Sequence, residues 1–97
     1  MVLIKVNEVP TTKEGLKERT RRAWRINPSR LYGQDTVISV YRGQILEVYK
    51  ILGYGADAIS EGRIAFELEE IESDLRGKTI ITKTSNPCTI VDTLEFK

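Results

Sequence analysis

Seven basic residues crowd one short stretch of this chain: Lys13, Lys17, Arg19, Arg21, Arg22, Arg25 and Arg30, opposed only by Glu14 and Glu18. Arginine presents planar, bidentate donors to phosphate and a flat face to aromatic rings, and Trp24, the only tryptophan, stands among them. The pairing suits a nucleotide, with guanidinium groups on the phosphates and a ring on the base. Arg63 lies on a β-rich segment bordered by acids. It either pairs with Glu61 or Glu67 or turns into a pocket. Tyr54 offers a further stacking surface, so the candidate ligand-binding residues are Arg21, Arg22, Trp24, Arg25, Arg30, Tyr54 and Arg63. Each has a plainer reading. Trp24 shares a helical-wheel arc with Leu16 and Ala23, which favours a core position, and the arginines could bridge to the chain's own acids.

Other chemistry finds few residues to work with. Histidine is absent, which removes the commonest general base and metal ligand. The single cysteine, Cys88, sits in an apolar context without a partner base, and a reactive thiol needs one. Zinc would need ligands this composition lacks, and the acidic residues do not follow the spacing of a calcium loop. Neither glycine-rich phosphate-loop pattern occurs. Asp35, Glu47 and Lys50 are the residue types of a magnesium-dependent nuclease, but nothing orders them as one. The expectation is a protein without catalytic residues, metal or cofactor.

The segments that must position the arginines follow from periodicity. Val2 to Val6 is β-branched and apolar, and stops at Asn7, Glu8 and Pro10, which predicts a strand. Thr11 with Glu14 makes a capping box, and Leu16, Thr20, Ala23 and Trp24 then fall on one face of an amphipathic helix of about three turns. Asn27-Pro28 ends it, since the residue before proline leaves the α region. Thr36 to Arg42 and Gln44 to Leu52 predict an antiparallel hairpin turning at Gly43. Gly53 to Asp57 reads as loop, Arg63 to Leu68 as a half-buried strand, and the acidic run from Glu67 to Asp74 as a solvated helix start or turn. Thr79 to Lys83 and Thr89 to Phe96 give the last two strands, joined through Ser85-Asn86-Pro87. The predicted fold class is α+β: a small antiparallel, barrel-like curved sheet of about six strands with one amphipathic helix packed on it.

At 97 residues the chain makes one domain, 1–97, and no stretch reaches the ~20 apolar residues of a membrane span. A cytoplasmic location without membrane contact is expected. The 15 Lys and Arg nearly balance the 14 Asp and Glu, yet the charge is uneven. Residues 1–50 hold ten bases and five acids, and residues 51–97 hold five and nine. Opposite halves of this kind invite self-association, so a homo-oligomer is an open expectation.

The order Thr20-Arg21-x-Ala23-Trp24-Arg25, Arg30, a hairpin with Val40, Gly43, Ile45, Val48 and Tyr49, then Gly62-Arg63-x-x-Phe66, Gly77-Lys78 and Asn86-Pro87 resembles a poorly characterised phage and bacterial accessory domain. That domain occurs alone and beside GIY-YIG-type nuclease domains. The chain departs from its pattern in lacking the glycine that usually follows the Phe66 segment and in carrying Tyr54 where a tryptophan is common. The strand order is also similar to small PUA-like barrels, including EVE and ASCH domains, and this resemblance implies binding of nucleic acid or modified bases. The function expected is a non-enzymatic nucleotide or nucleic-acid binding module. The alternative is a phage-type inhibitor that sequesters a small nucleotide signal or blocks a host defence protein.

Overall fold

Alternating apolar residues give this sheet two buried faces. On β1 (Val2–Lys5), Val2 and Ile4 point to one core and Leu3 to the other. On β2 (Thr36–Tyr41), Val37 faces the first core while Ile38 and, beyond a bulge, Val40 face the second. The computed structural model describes all residues, 1–97. After β1 come α1 (Lys13–Arg21), a 3₁₀ turn at Pro28–Leu31, and then β2, β3 (Gln44–Ala56), β4 (Ile64–Glu70), β5 (Ile80–Ile81), β6 (Cys88–Ile90) and β7 (Glu95–Phe96). Five strands form one sheet in the order β4-β3-β2-β1-β6, and β5 and β7 form a separate two-stranded ribbon.

The α+β class with one helix is as expected, but the sheet is mixed and does not close into an antiparallel barrel. β1 and β2 run parallel, Val2 opposite Val37 through Lys5 opposite Val40. Parallel neighbours need a long crossover, and residues 6–35, which carry α1, supply it. The remaining pairs are antiparallel. The expected hairpin forms with Tyr41 opposite Gln44. Both turn residues, Arg42 (φ 48°) and Gly43 (φ 82°), are left-handed, as the tight turns that match strand twist require.

Five local expectations are corrected. The helix cap is Thr12, whose side chain accepts from the Gly15 amide at 3.0 Å; Thr11 does not serve. The helix stops at Arg21, short of Ala23 and Trp24, because Trp24 exchanges two backbone hydrogen bonds of 2.9 Å with Ile64. Gly53 to Ala56 is strand, paired with β4 after a bulge at Ile51/Gly53. Glu67, Glu69 and Glu70 lie in β4, where Phe66 and Leu68 point inward and Glu67 and Glu69 outward. The segment Thr89–Phe96 is not one strand but two, β6 and β7, separated by Val91–Leu94.

One core, under α1 and the chain that follows it, gathers Ile4, Leu16, Trp24, Leu31, Tyr49 and Phe66, among others. The other face is covered by the C-terminal segment, with Ile80 packed on Leu3, Ile38, Val40, Ile45 and Val48. No helix is long and apolar enough to cross a membrane.

Candidate anion-binding cavity

Where α1 ends, the chain turns into a short segment that carries the site. Trp24 is 7% exposed. Its indole N–H donates to the Thr20 carbonyl at 2.7 Å, and the Arg19 guanidinium lies 5.8 Å from its ring centre. The ring is therefore a packed wall and not an open stacking face, which corrects its expected role on a base. Asn27 then caps the 3₁₀ turn, accepting from the Ser29 amide and hydroxyl at 3.0 Å each. That turn buries Leu31 and leaves Arg30 exposed.

This segment borders a cavity of about 460 Å³, with Arg25, Arg30 and Arg63 at its rim and Trp24, Ile26, Asn27, Asn86, Pro87 and Cys88 completing its lining. Arg63 immediately precedes β4 and Cys88 opens β6, and these are the two opposite edges of the five-stranded sheet. The sheet curves until its edges face each other across the cavity, and the arginine-bearing segment fills the gap. Arg25 and Arg30 are exposed and Arg63 is half-buried. Arg63 is steadied by donating one guanidinium N–H to the Ala23 carbonyl at 3.4 Å. No carboxylate lies within 4.0 Å of any of the three, and none lines the cavity. The pairing of Arg63 with Glu61 or Glu67 does not occur.

Burial pushes the Cys88 thiol up to about 11, against the opposing pull of the Arg30 charge. Near neutral pH it is a protonated, weakly polar wall.

The structure separates the other candidates from this cavity. Arg22 makes a bidentate pair with Asp57, at 2.8 and 2.7 Å. Asp57 also accepts from the Ile59 and Ser60 amides at 2.8 and 2.9 Å. The Arg22 hydrogen bond, helped by those amides, holds the Asp57 carboxyl well below the usual carboxylate range despite its burial. Arg21 donates to the Phe66 carbonyl at 3.1 Å and to both oxygens of Glu18 at 3.1 and 3.2 Å. Tyr54 packs edge-on against Phe66, with ring centres 6.4 Å apart, and borders a different depression that includes Arg21. Arg25, Arg30 and Arg63 thus come together with the wall of Trp24, while Arg21, Arg22 and Tyr54 do not join them.

Asn27, Asn86 and Cys88 line the cavity without having been anticipated as site residues. The two asparagines each precede a proline, which marks a turn, and that signal does not distinguish a turn beside a site from any other. A second cavity, of about 250 Å³, lies between β6 and the β5–β7 ribbon, and its cations are engaged. Lys83 pairs with Glu95 at 2.8 Å and the Lys5 ammonium donates to the Thr84 carbonyl. No three His, Cys, Asp or Glu side chains group so as to hold a metal ion. No protein-family model, curated protein or solved structure matches the chain.

Proposed function

We propose that this chain is a non-enzymatic binding module for the phosphates of a nucleotide or nucleic acid, with Arg25, Arg30 and Arg63 as the residues that hold them. The observation that carries the reading is the set of three guanidinium groups, without a carboxylate partner, around one cavity. In a chain with 14 acids for 15 bases, unpaired arginines are not a matter of composition. Some acids have found other cations, as Glu18 holds Arg21, Asp57 holds Arg22, Glu47 holds Arg76 and Glu95 holds Lys83, and none of the rest lines this cavity. Three like charges left together cost the fold electrostatic energy unless an anion joins them. The groups around the cavity bind and orient and supply no base, since the thiol is held protonated and no imidazole exists. A module that withholds a nucleotide signal without altering it uses the same three arginines and works in the cytoplasm.

The test is to denature the purified protein and identify by mass spectrometry the phosphorylated compounds it releases. Arg25→Ala/Arg30→Ala is carried in parallel. The wild type is expected to release a phosphorylated ligand and the double variant to lose it. The thermal midpoint of the ligand-free variant should equal or exceed that of wild type stripped of its ligand, because neither side chain touches a carboxylate. A wild type that carries no such ligand and takes up none when supplied with nucleotides or single-stranded nucleic acid overturns the reading.

A further inference from the structure

The cavity's surroundings narrow the ligand further, on the premise that the three arginines hold phosphate. A nucleic-acid chain spreads single charges along its length, and proteins that hold it track the backbone with a run of cations. No such run leaves this cavity. Arg19 hydrogen-bonds Asn7 at 3.0 Å and lies 3.9 Å from Glu8, while Arg21 and Arg22 are paired with Glu18 and Asp57. Beyond the Thr84–Pro87 loop, Lys5 and Lys83 are occupied by the Thr84 carbonyl and Glu95. Of the arginines in the cationic segment, only Arg25 and Arg30 stay free of a partner, and they meet Arg63 at this one cavity.

The cavity also lacks an open aromatic face on which a base could stack. The Trp24 ring is buried and its only donor is spent on Thr20. Tyr54 lies elsewhere, and the Asn27 side-chain oxygen is committed to Ser29. Three cations around one half-enclosed space match several charges on one group, and not the single charge of a phosphodiester. We infer that the cavity takes a small ligand by a terminal di- or triphosphate group and is indifferent to the base attached to it.

Isothermal titration of the full chain with inorganic tripolyphosphate, ATP, UTP and a 5′-hydroxyl single-stranded 12-nucleotide DNA tests this. The first three are expected to bind with affinities within about threefold of one another, and the oligonucleotide at least about tenfold more weakly, since a charge-assisted contact carries a factor of that order. Arg25→Ala and Arg30→Ala should each lower tripolyphosphate affinity by about tenfold or more. Lys17→Ala, which removes the same charge from α1, should change it less than about twofold. Circular dichroism confirms that each variant is folded. A preference between ATP and UTP above about tenfold, or an oligonucleotide that binds as well as or better than tripolyphosphate, overturns the inference and leaves phosphate binding standing. No binding by any of the four removes both.

Discussion

Asp57 shows how a single residue can take an arginine out of the candidate site. Its carboxylate receives two hydrogen bonds from Arg22 and two from backbone amides, which stabilise the charged form and hold the group below its ordinary value of 3.8. A carboxyl that ionises more easily folded than unfolded stabilises the fold above that ordinary value and loses the contribution as pH falls towards its folded one. Urea unfolding between pH 6 and pH 2.5 should therefore show a loss of stability below about pH 4 that is shallower in Asp57→Asn. Equal slopes in the two proteins would refute the assignment. Cys88 makes the opposite case, with burial raising its pKa to about 11. At pH 8 only about one thiol in a thousand is then the reactive thiolate. Iodoacetamide is expected to label the native protein far more slowly than the urea-unfolded one, and comparable rates would show an open, ionised thiol.

At the scale of elements, Trp24 belongs to two patterns at once, and only one survives folding. Its spacing from Leu16 and Thr20 fits a helical face, yet the helix ends at Arg21 and Trp24 joins the edge of β4 through Ile64. Its burial was legible in the sequence, because either arrangement puts the ring inward. The pairing was not, since Ile64 lies 40 residues away and no local preference reports it. The same distinction divides the rest of the fold. Val2–Lys5, the hairpin at Arg42-Gly43 and the alternation of Ile64, Phe66 and Leu68 are local patterns, and all were readable. The parallel pairing of β1 with β2, the strand through Gly53–Ala56 and the sharing of Arg22 with Asp57 depend on partners distant in sequence. Of the candidate arginines, sequence supplied the cluster and its neighbours, while Glu18, three residues from Arg21, and the distant Asp57 decided which stayed free. Trp24→Ala should cost about 3–5 kcal/mol in urea unfolding, as for other large buried rings. Trp24→Phe, which keeps a ring but loses the bond to Thr20, should cost less. A cost below about 1 kcal/mol for Trp24→Ala would place the ring outside the core.

For the whole molecule, the curvature of the sheet makes the cavity a seam. β4 and β6 share no hydrogen bonds, yet the residue before one and the residues before and in the other line the same space. The segment between them contributes Arg25 and Arg30, both exposed and both the same charge as Arg63 across the gap. In the free protein the seam is held by the Trp24–Ile64 bridge and the buried side chains beneath it, while the three charges repel one another. A polyphosphate placed among them reverses that repulsion and links the two sheet edges through the segment. Binding only the folded state, it stabilises by RT ln(1 + [L]/Kd), about 2.7 kcal/mol at a hundredfold excess over Kd. For a domain of this size that amounts to a rise of roughly ten degrees or more in the thermal midpoint. Tripolyphosphate should raise the midpoint progressively with concentration, and amide exchange should slow at Trp24 and Ile64, which close the seam. The Arg25→Ala/Arg30→Ala protein should show neither effect at the same ionic strength. A midpoint that rises equally in both proteins would mean that the anion acts as a general salt and that the seam is not its site.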